Sequence, residues 1–159
     1  MTDIVSPEKR SRMMSGIKGK NTKPEMIIRK GLYARGFRYR LHVKQLPGKP
    51  DLVLHKYKAV IFVNGCFWHK HDCRLFKWPK SNTDFWREKL TANEQRDKKY
   101  YRELSESGWR IMTVWECALK GRKETDREKV LDNLSDWLLT ENNNNNKTGE
   151  ISEGSVYGK

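Results

Sequence analysis

The sequence predicts an α/β fold, a mixed central sheet flanked by helices. Three observations lead there. The run Ala59-Val60-Ile61-Phe62-Val63 is a short, continuous apolar segment of strand-forming residues. Two later stretches, 82–108 and 126–139, repeat their apolar residues at helical spacing. Between the apolar run and the first of these helices, residues 63–73 crowd Cys66, His69, His71 and Cys73 around the aromatic pair Phe67-Trp68. Thiolate and imidazole at such spacing suit a tetrahedral zinc site, so the fold is expected to carry a structural metal loop.

The elements follow in chain order. Ser6-Pro7-Glu8 places a capping serine before a proline at the first helical position, opening a short basic helix limited by Gly16 and Gly19. We read residues 1–20 as an arm. Residues 21–36 form a second helix, with Thr22-Lys23-Pro24-Glu25 as capping box, Ile27, Ile28 and Leu32 as its apolar face and Gly36 as its stop. From Phe37 the period changes to that of strands: 37–42, a turn at Leu46-Pro47-Gly48-Lys49-Pro50, 51–54, and the central run 59–63. The charged helix 82–108 carries Phe85, Trp86, Leu90 and Leu104, strand 110–115 follows, and helix 126–139 closes the domain through Val130, Leu131, Leu134, Trp137 and Leu138. The domain thus spans 21–140. Residues 141–159, with an asparagine homopolymer at 142–146, are expected to be a disordered tail.

Composition limits the partner. The chain has 159 residues, enough for one core, and 33 Lys and Arg against 20 Asp and Glu give it a formal charge of +13. Such an excess points to a polyanion, with nucleic acid ahead of a membrane surface. The first residues show neither a secretory signal nor a membrane span, so a cytosolic protein is expected. Three cysteines, Cys66, Cys73 and Cys117, are an odd count that favours metal ligation over disulfides. A fourth ligand is then needed, and spacing alone leaves His69 and His71 as alternatives, since in an extended segment both point to the side of Cys73.

Pro50-Asp51 at the start of a strand resembles the first half of the PD-(D/E)xK nuclease motif, but the places of its second acid and lysine hold Val63 and Gly65. The wider pattern is more specific. Arg10-Ser11, Met14, Ile17, Glu25, Leu46-Pro47-Gly48, Pro50-Asp51, Gly65-Cys66-Phe67-Trp68-His69, His71, Cys73, Phe85-Trp86, Asp97 and Val114-Trp115-Glu116-Cys117-Ala118-Leu119 together resemble the very-short-patch-repair (Vsr) endonucleases over residues 8–138. That family nicks bacterial DNA at T:G mismatches, which arise by deamination of 5-methylcytosine.

The resemblance implies a restriction-endonuclease-like fold, catalytic Mg2+ and structural Zn2+. By position it assigns Mg2+ to Asp51 and the Val63 carbonyl, the general base to His69, its acidic partner to Asp97 and a further acidic role to Glu25. Zinc falls to Cys66, His71, Cys73 and Cys117. Phe67, Trp68 and Trp86 match the aromatic wedge that enters the mismatched stack, with Lys89 as a nearby DNA contact. Met14 and Ile17, with Arg10 and Arg12 for phosphates, match the arm that closes over the opposite groove. The implied partner is duplex DNA bearing a T:G mismatch, bound by a monomer linked functionally to a cytosine-5 methyltransferase and a repair polymerase. One departure is Asn64, where some members carry a histidine. A restriction-like nuclease acting on matched DNA or another lesion, and a non-catalytic zinc-stabilised DNA-binding module, are the alternative readings.

Overall fold

A computed structural model describes residues 21–140 and 148–153. The expected basic helix, with Arg10, Arg12, Met14 and Ile17, lies outside the described residues, as does the asparagine run. Within them the order is α1 (Lys23–Ala34), β1 (Arg40–Leu41), β2 (Leu52–Leu54), β3 (Ala59–Asn64), α2 (Thr83–Glu106), β4 (Arg110–Trp115), α3 (Glu124–Leu139) and β5 (Thr148–Ile151). Short 3-10 turns, His55–Tyr57 and Glu116–Ala118, follow β2 and β4.

The strands form one sheet in the order β1-β2-β3-β4-β5. β1, β2 and β3 pair antiparallel, β1 and β2 joined by the loop 42–51 and β2 and β3 by the short turn 55–58, whereas β3-β4 and β4-β5 are parallel because α2 and α3 cross over between them. The mixed sheet flanked by helices is therefore as expected. Side-chain alternation divides the core. Leu52, Leu54, Ala59, Ile61, Met112 and Val114 point to one face with α1 and α3, while Val53, Val60, Phe62 and Ile111 meet Leu104 and Trp109 on the other. Gly31 lets α1 approach α3, since a Cβ there would overlap the Leu131 side chain.

Arg110 fastens the end of α3. It is 2 % exposed and donates to the carbonyls of Trp137 and Leu138, the orphan acceptors of a helix C-terminus, at 2.8 and 3.1 Å.

Two expectations are corrected. The strand expected over 37–42 is reduced to Arg40–Leu41, because the chain turns at His42, whose φ is 47°. The tail expected to be disordered over 141–159 contains β5, which pairs in parallel with β4 over residues 148–151. Local sequence could not announce this strand. It has a single large apolar residue, Ile151, and forms only by pairing with the β4 edge, which leaves Ile151 4 % exposed. No helix among the described residues is long and apolar enough to cross a membrane.

Candidate active site and metal centre

The antiparallel β2-β3 pair brings Asp51, just before β2, to the end of β3. There Asp51 Oδ2 accepts the Val63 N–H at 2.7 Å. The preceding turn makes this possible through consecutive positive φ values at Gly48 (77°) and Lys49 (50°). A Cβ on Gly48 would also stand 3.2 Å from Phe62 and Tyr100, so this position favours glycine twice over.

Glu25 arrives from the first turn of α1 and is 2 % exposed. Its own N–H donates to the Thr22 hydroxyl at 3.4 Å, the forward half of the expected capping box. The reciprocal bond is displaced by one residue, since Glu25 Oε1 accepts from the Asn21 N–H at 3.1 Å. Its other oxygen faces His42 Nε2 at 2.8 Å and Arg29 at 3.5 Å. Asp51 is pushed up to about 7, chiefly by burial and further by the nearby Glu25, against the Val63 N–H and His69, which pull it down. Buried carboxylates held this close need positive charge, and a divalent cation would supply it.

α2 builds the opposite wall. Lys89, Asn93, Asp97 and Tyr101 follow at about one-turn intervals and face one way. Asn93 donates to the Trp68 carbonyl at 2.9 Å, and Asp97 Oδ2 meets His69 Nδ1 at 2.5 Å. Asp51, Glu25, His69 and Asp97 thus line one cavity of about 730 Å3, which also reaches Phe67, Trp68 and Lys89. Asn64 at its floor is occupied by the Tyr101 hydroxyl at 3.1 Å.

The loop 65–73 is a turn rather than an extended segment. His69 and His71 donate back to the Gly65 and Cys66 carbonyls, and Lys70 has φ 55°. The alternation that left two histidines equivalent therefore does not apply. His69 turns towards Asp97, whereas His71 stacks on Trp115 at 4.0 Å and 8° and lies 3.7 Å from Cys117 Sγ.

The ligand atoms of Cys66, His71, Cys73 and Cys117 all lie within 4.8 Å of one another, a set of donors suited to one tetrahedral metal. Cys117 is supplied by the 3-10 turn after β4. Its thiol is held down at about 6, above all by the hydrogen bond from Cys66, which is itself pushed up by the same contact and by burial. β5 and the residues just after it secure the cluster from outside, where the Glu153 N–H donates to Cys117 Sγ at 3.4 Å and Trp115 donates to Glu150 at 2.7 Å.

Similarity to known proteins supplies the family. A family model described as DNA mismatch endonuclease Vsr matches residues 2–75. A type II nicking enzyme, V.NmeAIP of Neisseria meningitidis, is 52% identical over 77% of this chain and 87% of its own. The chain belongs to the Vsr family. V.XorIIP of Xanthomonas oryzae, also named a type II nicking enzyme, is 45% identical over 83% of this chain and 98% of its own. The DNA mismatch endonuclease Vsr of Escherichia coli is 40% identical over 89% and 90%. Family membership makes the chain an endonuclease acting on DNA and points to a divalent metal.

The aromatics beside the cavity form one cluster. Phe67 packs edge-on against Trp68 and Trp86 at 5.1 and 5.3 Å and stacks on Phe76 at 6.1 Å. Trp78 extends the cluster through Phe76 at 5.1 Å and lies under Arg87. Sequence reasoning missed Phe76 and Trp78, whose only signal was their apolar character between the metal loop and α2. It also gave His42 no role, because nothing in the spacing of 25, 42 and 51 announces their convergence.

Proposed function

We propose that the chain nicks one strand of duplex DNA 5′ to the mispaired T of a T:G mismatch, leaving 3′-hydroxyl and 5′-phosphate ends. What supports this most is one cavity in which carboxylates fit for a divalent cation and an Asp-oriented histidine stand beside an aromatic cluster. A phosphodiester fits the first part and an unstacked base the second.

In this reading Asp51 and the Val63 carbonyl hold Mg2+. That ion, when bound, stabilises the charge that grows on the phosphate during attack. His69 takes the proton of the attacking water through Nε2, while Asp97 fixes the Nδ1–H tautomer and stabilises the imidazolium formed. Glu25 orients water beside Asp51. The phosphorus–O3′ bond breaks, and the departing oxygen takes up a proton to become the 3′-hydroxyl. Cys66, His71, Cys73 and Cys117 hold structural Zn2+, which braces the wedge and the base.

Phe67, Trp68 and Trp86 enter the stack beside the mismatch, where weak pairing lowers the cost of unstacking. Lys89 contacts a base or a phosphate, and Arg10, Arg12, Met14 and Ile17 close the arm over the other groove. Substrates with T:G, T:A and C:G at one position, each strand end-labelled in turn, test this reading. It requires a single cut on the T strand of the T:G duplex, and cutting of both strands or of another lesion alone would defeat it.

A further inference from the structure

The Glu25-Asp51 pair has a third donor beside it. His42 Nε2 stands 2.8 Å from Glu25 Oε2 and 3.8 Å from Asp51 Oδ1, and the ligand atoms of all three residues lie within 4.8 Å of one another. That nitrogen is buried without a hydrogen bond, its alignment with Glu25 being wrong for one. The backbone keeps it there. His42 is left-handed at φ 47°, and its N–H donates to the Asp51 carbonyl at 3.1 Å. Strained conformations of this kind persist where surrounding structure enforces them and cluster at functional sites.

We propose that His42 and Glu25 both bind the cation at Asp51 directly, Glu25 without the intervening water, making a Glu/His/Asp site that prefers Mn2+ and later divalent metals over Mg2+. The inference rests on the reading of Asp51 as a cation site. Neighbouring donors around an octahedral ion with bonds of about 2.1 Å stand about 3.0 Å apart, close to the His42–Glu25 separation. Carboxylates alone suit Mg2+, whereas an imidazole shifts affinity towards transition metals. A cation also satisfies two facing lone pairs that a poorly aligned proton does not.

Zinc-loaded full-length protein titrated with Mn2+ and read by electron paramagnetic resonance, with pulsed detection of 14N coupling, tests the assignment. One Mn2+ beyond the zinc is expected to bind with coupling to an imidazole nitrogen. His42→Gln should lose that coupling and weaken Mn2+ about tenfold or more, with a smaller change for Mg2+ measured by competition. His69→Gln should retain the coupling, which identifies the nitrogen even if the His42 variant folds poorly. Mn2+ bound to the wild type without nitrogen coupling, or with coupling that His69→Gln removes, overturns the ligand assignment and leaves the Asp51 site standing. No Mn2+ beyond the zinc overturns both.

Discussion

Asp51 is under two opposed demands: burial and Glu25 favour its protonated form, while the Val63 N–H and His69 favour the carboxylate. An unfolded aspartate loses its proton near 3.8, but the folded one keeps it to about 7. Between those values the folded state binds more protons, so stability should fall as pH rises through the window and level off above it. Denaturant titrations of zinc-loaded protein without added divalent cation should show that decline, and Asp51→Asn should flatten it. The same variant should abolish nicking while DNA still binds in a gel-shift assay. His69 and Asp97 form the other unit. Asp97→Asn should slow the single-turnover cut by about 10²- to 10⁴-fold with little change in DNA affinity, because it disturbs proton transfer alone. At this scale legibility depended on the pattern around a residue. Asp51 and His69 sit in dense motifs, whereas Asp97 looks like any charge in 93–99 and His42 like any histidine at a strand end, since their partners lie far away in the chain.

The loop after β3 joins the candidate metal cluster, the proposed base His69 and the proposed wedge Phe67-Trp68 within a few residues, so each depends on the loop's geometry. Cys73→Ala should lose zinc and lower the melting temperature together, read by metal analysis and calorimetry, because binding at such sites is also folding energy. Trp68→Ala keeps the ligands but removes a stacking surface. It should weaken mismatch binding by about 1–3 kcal/mol, roughly five- to 150-fold, with less effect on matched DNA. The long elements were readable from periodicity alone: α2 and α3 lie within two residues of their expected limits, and β3 and β4 occupy the expected apolar runs. β5 was not readable, because its stability comes from the β4 edge and from contacts of Glu150 and Glu153 with the Trp115-Cys117 segment. The aromatic cluster was half readable. Phe67, Trp68 and Trp86 stood out by motif, while Phe76 and Trp78 join only once the loop folds back onto α2.

Across the whole molecule, the sheet serves as a frame that brings carboxylates from α1 and the β2 turn against a histidine held by α2. The metal cluster lies at the end of the central parallel strands, where Cys117 follows β4. A formal charge of +13 surrounds this frame, so affinity for any duplex should fall steeply with salt, whereas preference for the mismatch should persist. In the proposed function the cavity couples detection of a T:G pair to metal-dependent cutting of one strand. Single-turnover cleavage of otherwise identical T:G and C:G duplexes, each with Mg2+ and with EDTA, measures it most directly. A nick 5′ to the mispaired T is expected with Mg2+ and not with EDTA, and no cut in the C:G duplex. Equal cutting of both duplexes, or an undiminished nick in EDTA, would contradict it.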